Sequence, residues 1–174
     1  MGLDSVLREL RALQTAGVIE NYAIGGAVGA AAYTTPAATD DVDVFVIFRG
    51  ESAKSLTPLS PIYEFLLPRG ARVEGPYVVI GGWPVQFLPA GTDLLEDAVA
   101  MANEAKVSEQ STRIFSAEHL AAVAIQLGRA KDHVRALQLM EAPGFDRERF
   151  DALLGKYDLR KKYETLLGRF REDS

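Results

Sequence analysis

Thr39-Asp40-Asp41-Val42-Asp43-Val44-Phe45-Val46-Ile47-Phe48 is the stretch on which the fold turns. Three aspartates within four residues open a run that is otherwise apolar. Strands disfavour aspartate, and like charges repel. The run from Val42 to Phe48 nevertheless reads as a strand, and its apolar continuity predicts burial on both faces. Side chains at i and i+2 of a strand share a side, about 6.6 Å apart along it. Asp41 and Asp43 therefore face one way, and Asp40 faces the other, toward the surface. Two carboxylates at that spacing can converge on a hard cation such as magnesium, which takes oxygen ligands and keeps places for phosphates and water. The plain alternative is a solvated loop that caps the strand, since turns attract aspartate.

Upstream, Tyr22-Ala23-Ile24 is a short apolar run closed by Gly25-Gly26, and small helix-compatible residues follow. This predicts strand, glycine turn, helix. Glycine lets backbone approach a ligand closely, and a helix N-terminus offers free N–H groups to phosphate. Leu3, Val6, Leu7, Leu10 and Leu13 recur at helical spacing, so residues 3–16 read as an amphipathic helix stopped at Gly17. Downstream, residues 50–58 read as loop and 58–67 as a helix with Pro61 early enough to be tolerated. Tyr77 to Ile80 and Val85 to Leu88 flank Gly81-Gly82-Trp83-Pro84, a hairpin signal. Residues 92–102 read as a helix capped by Thr92, and 112–115 as a last strand. From Ser116 onward the pattern is helical, with amphipathic stretches at 145–154 and 159–170. The expected fold class is α/β (α+β): an α/β core over 1–115 and a C-terminal helical region over 116–174, packed as one compact unit.

The 174 residues carry a net charge of −5, which argues against a broad nucleic-acid footprint. The chain has no cysteine, which excludes disulfides and thiolate metal sites, and its two histidines do not suit a histidine-rich zinc site. The charged, helix-periodic N-terminus is unlike a signal peptide, and no apolar run is long enough to span a bilayer. The expected location is the cytoplasm, without a membrane partner.

Ile24-Gly25-Gly26, then fourteen residues, then Asp41-Val42-Asp43-Val44 resembles the signature of the nucleotidyltransferase (polymerase-beta-like) superfamily. Thr39 before the acids also fits many members. Leu120 to Asp132, ending Gly128-Arg129-Ala130-Lys131-Asp132, is similar to the corresponding stretch of the AbiEii-like nucleotidyltransferases, a group that includes toxins of toxin–antitoxin systems. The resemblance implies a mixed sheet flanked by helices. It also implies a magnesium-dependent enzyme, with manganese as a substitute, that moves a nucleoside monophosphate from a nucleoside triphosphate to an acceptor hydroxyl. Asp41 and Asp43 would hold two metal ions. Gly25, Gly26 and Thr39 would serve the nucleotide. Arg129 and Lys131 would neutralise phosphate charge, and Asp132 would orient them or meet the acceptor. The acceptor (RNA, a protein hydroxyl or a small molecule), the triphosphate's base and an antitoxin partner are not legible.

Active members of that superfamily usually carry a third carboxylate on a later strand, and its place here is Gln86. A glutamine offers a carbonyl oxygen but cannot act as a base near pH 7. Ala124 stands where many AbiEii-like proteins have lysine, and Arg135 where an aspartate often follows. These departures open a second reading, a catalytically impaired nucleotide-binding or regulatory module. Asp93, Glu96 and Asp97 read as the first turn of a helix, or as a source of the missing acid. A more distant alternative is a dinucleotide-binding protein, because Ile24 to Gly29 lies one residue from a G-x-G-x-x-G pattern. His119, His133 and Trp83 read as surface or packing residues, and Arg160-Lys161-Lys162 as a solvated helix face.

Overall fold

The computed structural model describes residues 2–36, 38–50, 56–107 and 109–172. Its strands are β1 (Asn21–Ile24), β2 (Val42–Ile47), β3 (Arg72–Glu74), β4 (Tyr77–Ile80), β5 (Trp83–Pro89), β6 (Asn103–Val107) and β7 (Gln110–Ile114). Its helices are α1 (Leu3–Thr15), α2 (Gly26–Ala30), α3 (Ser60–Leu66), α4 (Asp93–Ala100), α5 (Ala117–Leu127), α6 (Ala130–Met140), α7 (Arg147–Lys156) and α8 (Arg160–Glu172). The strands form one mixed sheet in the order β3-β4-β5-β2-β1-β7-β6.

β2 lies inside the sheet, antiparallel to β1 and parallel to β5. Its alternation sorts the two faces. Val42, Val44 and Val46 join Val6, Leu7, Leu10 and Leu13 of α1 and Ile62 and Leu66 of α3 in one core. Phe45 points the other way, into a core built with α4, α5 and the C-terminal helices, and stacks on Phe115 at 4.8 Å between ring centroids. Helix α5 is buried from Ala117 to Ile125, as its apolar circumference requires. The acidic mouth of β2 thus belongs to the face that the last third of the chain covers.

The hairpin between β4 and β5 turns on Gly81 and Gly82, whose φ values of 58° and 90° suit a two-residue turn that twists with its strands. Helix α4 starts as expected, with the Leu95 amide donating to Thr92 Oγ1 (3.3 Å), but ends at Ala100 rather than Ala102. The chain then turns into β6, an edge strand that pairs with β7. The expected helix at 58–67 begins later, at Ser60, with Pro61 in its first turn. Of the predicted loop at 50–58, residues 51–55 lie outside the described residues. The dinucleotide-binding alternative fails on topology: β1 and β2 run antiparallel, whereas that fold needs them parallel around a full helix, and α2 spans five residues. Among the described residues, no helix is long and apolar enough to cross a membrane.

Of its surface or packing readings, His119 takes the second, with polar partners that spacing did not reveal. It is buried, and its ring bridges Ser116 Oγ (2.9 Å from Nδ1) and Asp97 Oδ2 (3.4 Å from Nε2). Asp97 also accepts from Tyr157 Oη (2.7 Å) and Lys156 Nζ (3.3 Å), so this chain of polar contacts ties α4 to α5 and to the end of α7. Burial pulls the Asp97 carboxyl up, but the bonds from Tyr157, His119 and Lys156 together hold it below the usual range. Burial depresses the His119 imidazole; Asp97 and Glu118 oppose that shift and Arg149 adds to it. A histidine whose folded pKa lies below its unfolded value stabilises above ~6.5 and costs stability as pH falls through the folded value. Thermal melts should therefore show wild-type stability falling below about pH 6.5, and His119→Gln should flatten that limb. An unchanged acid limb in the variant would assign the loss to other groups.

Candidate active site

Asp43 sits in β2 on the Phe45 face, and its carboxylate crowds Gly26. A Cβ built on Gly26 would lie 2.0 Å from Asp43 Oδ2, and Gly26 also has a φ of +57°. The Gly25 amide donates to the Asp43 carbonyl (3.0 Å), and a Cβ on Gly25 would lie 2.6 Å from the Phe45 ring. Both glycines are thus fixed by the strand carrying the aspartates. Gly26→Ala forces a left-handed backbone and displaces Asp43. We expect a loss of more than about 1 kcal/mol in chemical denaturation, together with weakened cation binding.

Asp41 lies just outside β2. The Thr39 hydroxyl donates to its carbonyl and to Oδ1, both at 3.1 Å, which fixes the carboxylate at the strand mouth. Asp40 is exposed. Gln86 pairs with Asp43 in the β2–β5 register, so the two side chains share a face. One step beyond the Val78–Val85 pair, Tyr77 at the start of β4 extends the row across a third strand. Asp43, Gln86 and Tyr77 thus form a line across β2, β5 and β4. The Tyr77 phenol is pushed up by the Asp41 charge and, to a smaller extent, by burial, by a hydrogen bond to Asp41 and by Asp43.

Helix α6 supplies the opposing charge. Asp132 is fully buried and receives Arg129 through two bonds (Nε to Oδ2, 2.5 Å; Nη2 to Oδ1, 3.2 Å). Arg135 Nη1 lies 3.7 Å from Asp132 Oδ1. One buried carboxylate therefore fixes two guanidinium groups, while Lys131 is exposed. Burial and the Asp41 charge raise the Asp43 carboxyl, and Arg135, Lys131 and Arg129 partly offset this. The charges of these three residues act on Asp43, so the start of α6 lies beside the aspartate mouth.

The structure brings Gly25, Gly26, Thr39, Asp41, Asp43, Gln86, Arg129 and Lys131 to one region. It removes Asp132 from contact with an acceptor, since that carboxylate is buried between arginines. It also removes Asp97 as a source of the missing acid, because Tyr157, Lys156 and His119 occupy its carboxylate. Tyr77 and Arg135 escaped the sequence reading. Tyr77 was accessible through the hairpin register, which pairs positions whose numbers sum alike. Arg135 was noted only as a departure from the resemblance, although its i, i+3 spacing from Asp132 on a helix suits a charge pair.

Asp41, Asp43 and the Gln86 carbonyl form a donor set of hard oxygens, suited to magnesium and unsuited to softer metals. Among the described residues no group of three or more His, Cys, Asp or Glu side chains is placed to hold a metal, so the carboxylates here number two. A cation at this mouth would need further oxygens from phosphate or water.

The fold is that of nucleotidyltransferases. The chain is similar to the solution structure of the antibiotic-resistance factor ANT(2'')-Ia, with 16% identity over 98% of each chain and a TM-score of 0.54. It is similar to the crystal structure of ANT(2'')-Ia in complex with adenylyl-2''-tobramycin, with 15% identity over 94% of this chain and 99% of that one, at a TM-score of 0.56. It is also similar to an antigenic nucleotidyltransferase-like protein from Paracoccidioides brasiliensis, with 13% identity over 95% and 92% of the chains and a TM-score of 0.55. No family model and no curated protein matches the sequence.

Proposed function

We propose that the protein transfers a nucleoside monophosphate from a magnesium-bound nucleoside triphosphate to an acceptor hydroxyl, releasing pyrophosphate. The observation that carries this reading is the Asp41–Asp43 pair facing Arg129, Lys131 and Arg135. It gives cation ligands on one side and phosphate-binding groups on the other. Asp41, Asp43 and the Gln86 carbonyl would hold the metal, which supplies charge neutralisation and polarises the phosphoryl group. Arg129 and Arg135, oriented by Asp132, and the exposed Lys131 would hold the triphosphate. Gly26 keeps backbone close to that position. The adenylyl-tobramycin complex of the similar protein ANT(2'')-Ia supports a small-molecule acceptor, while the Gly128 to Asp132 segment supports the AbiEii-like form of the reading.

Incubation with each α-labelled triphosphate, magnesium and candidate RNA, protein or small-molecule acceptors tests the proposal. Label transfer that needs magnesium supports it. Triphosphate binding without any transfer replaces it with the second reading, a nucleotide-binding module, which the neutral Gln86 favours. Under the toxin-like form, expression arrests growth, and transfer without arrest removes that form alone. Gln86→Glu places a carboxylate beside Asp43. Transfer to an aliphatic hydroxyl should then rise by roughly tenfold or more, because well-placed general bases commonly contribute about a hundredfold. A rate unchanged by this substitution would show that proton removal does not limit the reaction.

A further inference from the structure

We propose that Thr39 is a positioning residue: by holding one oxygen of Asp41, it makes the aspartate mouth prefer magnesium over calcium. The inference rests on the metal site proposed above and concerns which cation that site accepts. The Thr39 hydroxyl lies 3.1 Å from both the Asp41 carbonyl oxygen and Asp41 Oδ1. One hydroxyl carries one proton, and a charged oxygen draws a shared proton more strongly than a neutral one. Oδ1 therefore holds the larger share of this bond. Thr39 is half-buried, which limits competition from water. The contact with the Asp41 carbonyl anchors the hydroxyl, and the bond to Oδ1 orients the carboxylate.

An oxygen engaged in this way has less to give a cation, so Asp41 does not present its two oxygens equally. The other donors at the mouth are uneven too. An amide has a single oxygen, so Gln86 gives one. Asp43 Oδ2 occupies the space that a side chain on Gly26 would take, since a Cβ there would lie 2.0 Å from it. Its two oxygens therefore stand in unlike surroundings. Calcium gathers more oxygens than magnesium and often grips a carboxylate by both. Magnesium demands near-octahedral geometry, and single oxygens from one or two carboxylates, completed by phosphate and water, satisfy it. A mouth of single-oxygen donors thus suits the smaller ion. Removing the Thr39 hydroxyl frees Oδ1 and lets the Asp41 carboxylate turn, which favours the larger one.

The test uses the full chain, titrated separately with magnesium chloride and calcium chloride. Calorimetric titration, and the rise in melting temperature with cation concentration, give the two dissociation constants. The wild type is expected to bind magnesium more tightly than calcium. Thr39→Val keeps the branched shape and removes the hydroxyl; it should lower that preference by about three- to tenfold, the scale of one hydrogen bond. Thr39→Ala should do the same, and Thr39→Ser, which retains a hydroxyl, should keep the wild-type ratio. A role confined to folding would weaken both cations alike and leave the ratio unmoved. A ratio that stays constant or rises in Thr39→Val and Thr39→Ala, or that Thr39→Ser fails to keep, overturns the inference. So does a wild type that prefers calcium. Magnesium-dependent label transfer by the wild type, together with an unmoved ratio in the variants, overturns the inference and leaves the proposed function standing. A wild type that binds neither cation overturns the inference, and if it also transfers no label, the proposed function falls with it.

Discussion

Asp43→Asn should reduce magnesium-dependent transfer by about a thousandfold, or ~4 kcal/mol, the scale of removing one well-placed electrostatic group from an active site. Its effect on stability should have the opposite sign. Burial and Asp41 raise the Asp43 carboxyl, so its charged form is disfavoured in the folded protein. A carboxyl raised in this way favours the folded state below its unfolded pKa, and that contribution is lost as pH rises through the folded value. At neutral pH without magnesium, the asparagine variant should therefore melt at a higher temperature than the wild type. The gain should shrink as the pH is lowered through the raised Asp43 pKa. Adding magnesium should stabilise the wild type by linkage and leave the variant nearly unmoved. Calorimetric melts across pH, with and without magnesium, check all three outcomes. A variant that melts lower than the wild type at neutral pH would contradict the cost that burial and Asp41 place on the charged Asp43.

Asp132→Ala should cost about 2–3 kcal/mol. Removing one member of a buried ion pair commonly costs about 3–5 kcal/mol, because the partner charge is left unpaired. Here Arg129 is 56% and Arg135 23% exposed at the side chain, so water recovers part of that loss. For a domain of this size, each kcal/mol lowers the melting temperature by about 2–4 °C, giving a drop of roughly 5–10 °C. Triphosphate binding should weaken as well, since two guanidinium groups lose the anchor that aims them. Adding Arg129→Ala to the variant should cost less than the same change in the wild type, a coupling that a double-mutant cycle measures directly. If the two changes simply added, Asp132 would not be organising the cluster.

Asp41, Asp43, Gly25 and Gly26 were legible because their relations are local. Acids two apart on a strand share a side whatever the rest of the chain does, and a glycine pair between a strand and a short helix is its own punctuation. Gln86 was legible through the resemblance, and the register of β2 with β5 gives it a physical place beside Asp43. Tyr77 needed the register of a further strand. Arg135 pairs with Asp132 at local i, i+3 spacing, but its place beside Asp43 needed the docking of α6, which no local pattern encodes. The chain from Ser116 through His119 and Asp97 to Tyr157 and Lys156 joins three separate elements, so spacing could not reveal it. β3 and β6 escaped because they are short edge strands, largely exposed, and lack the apolar alternation that marks a half-buried strand. The C-terminal helices were read correctly as helices, but the near-complete burial of α5 follows from being covered by α6 and α7.

The position of the acidic mouth on the face covered by the last third of the chain has a bearing on biosynthesis. A ribosome delivers β1, α2 and β2 early, and chains begin to organise from the N-terminus as they emerge. The two aspartates are then synthesised before Arg129, Lys131 and Arg135 are translated. During that interval the nascent protein has its aspartates without the opposing positive charge. Under the proposed function, competence to hold a triphosphate would arrive late in translation, with α6, and a chain cut short before Arg129 would lack it.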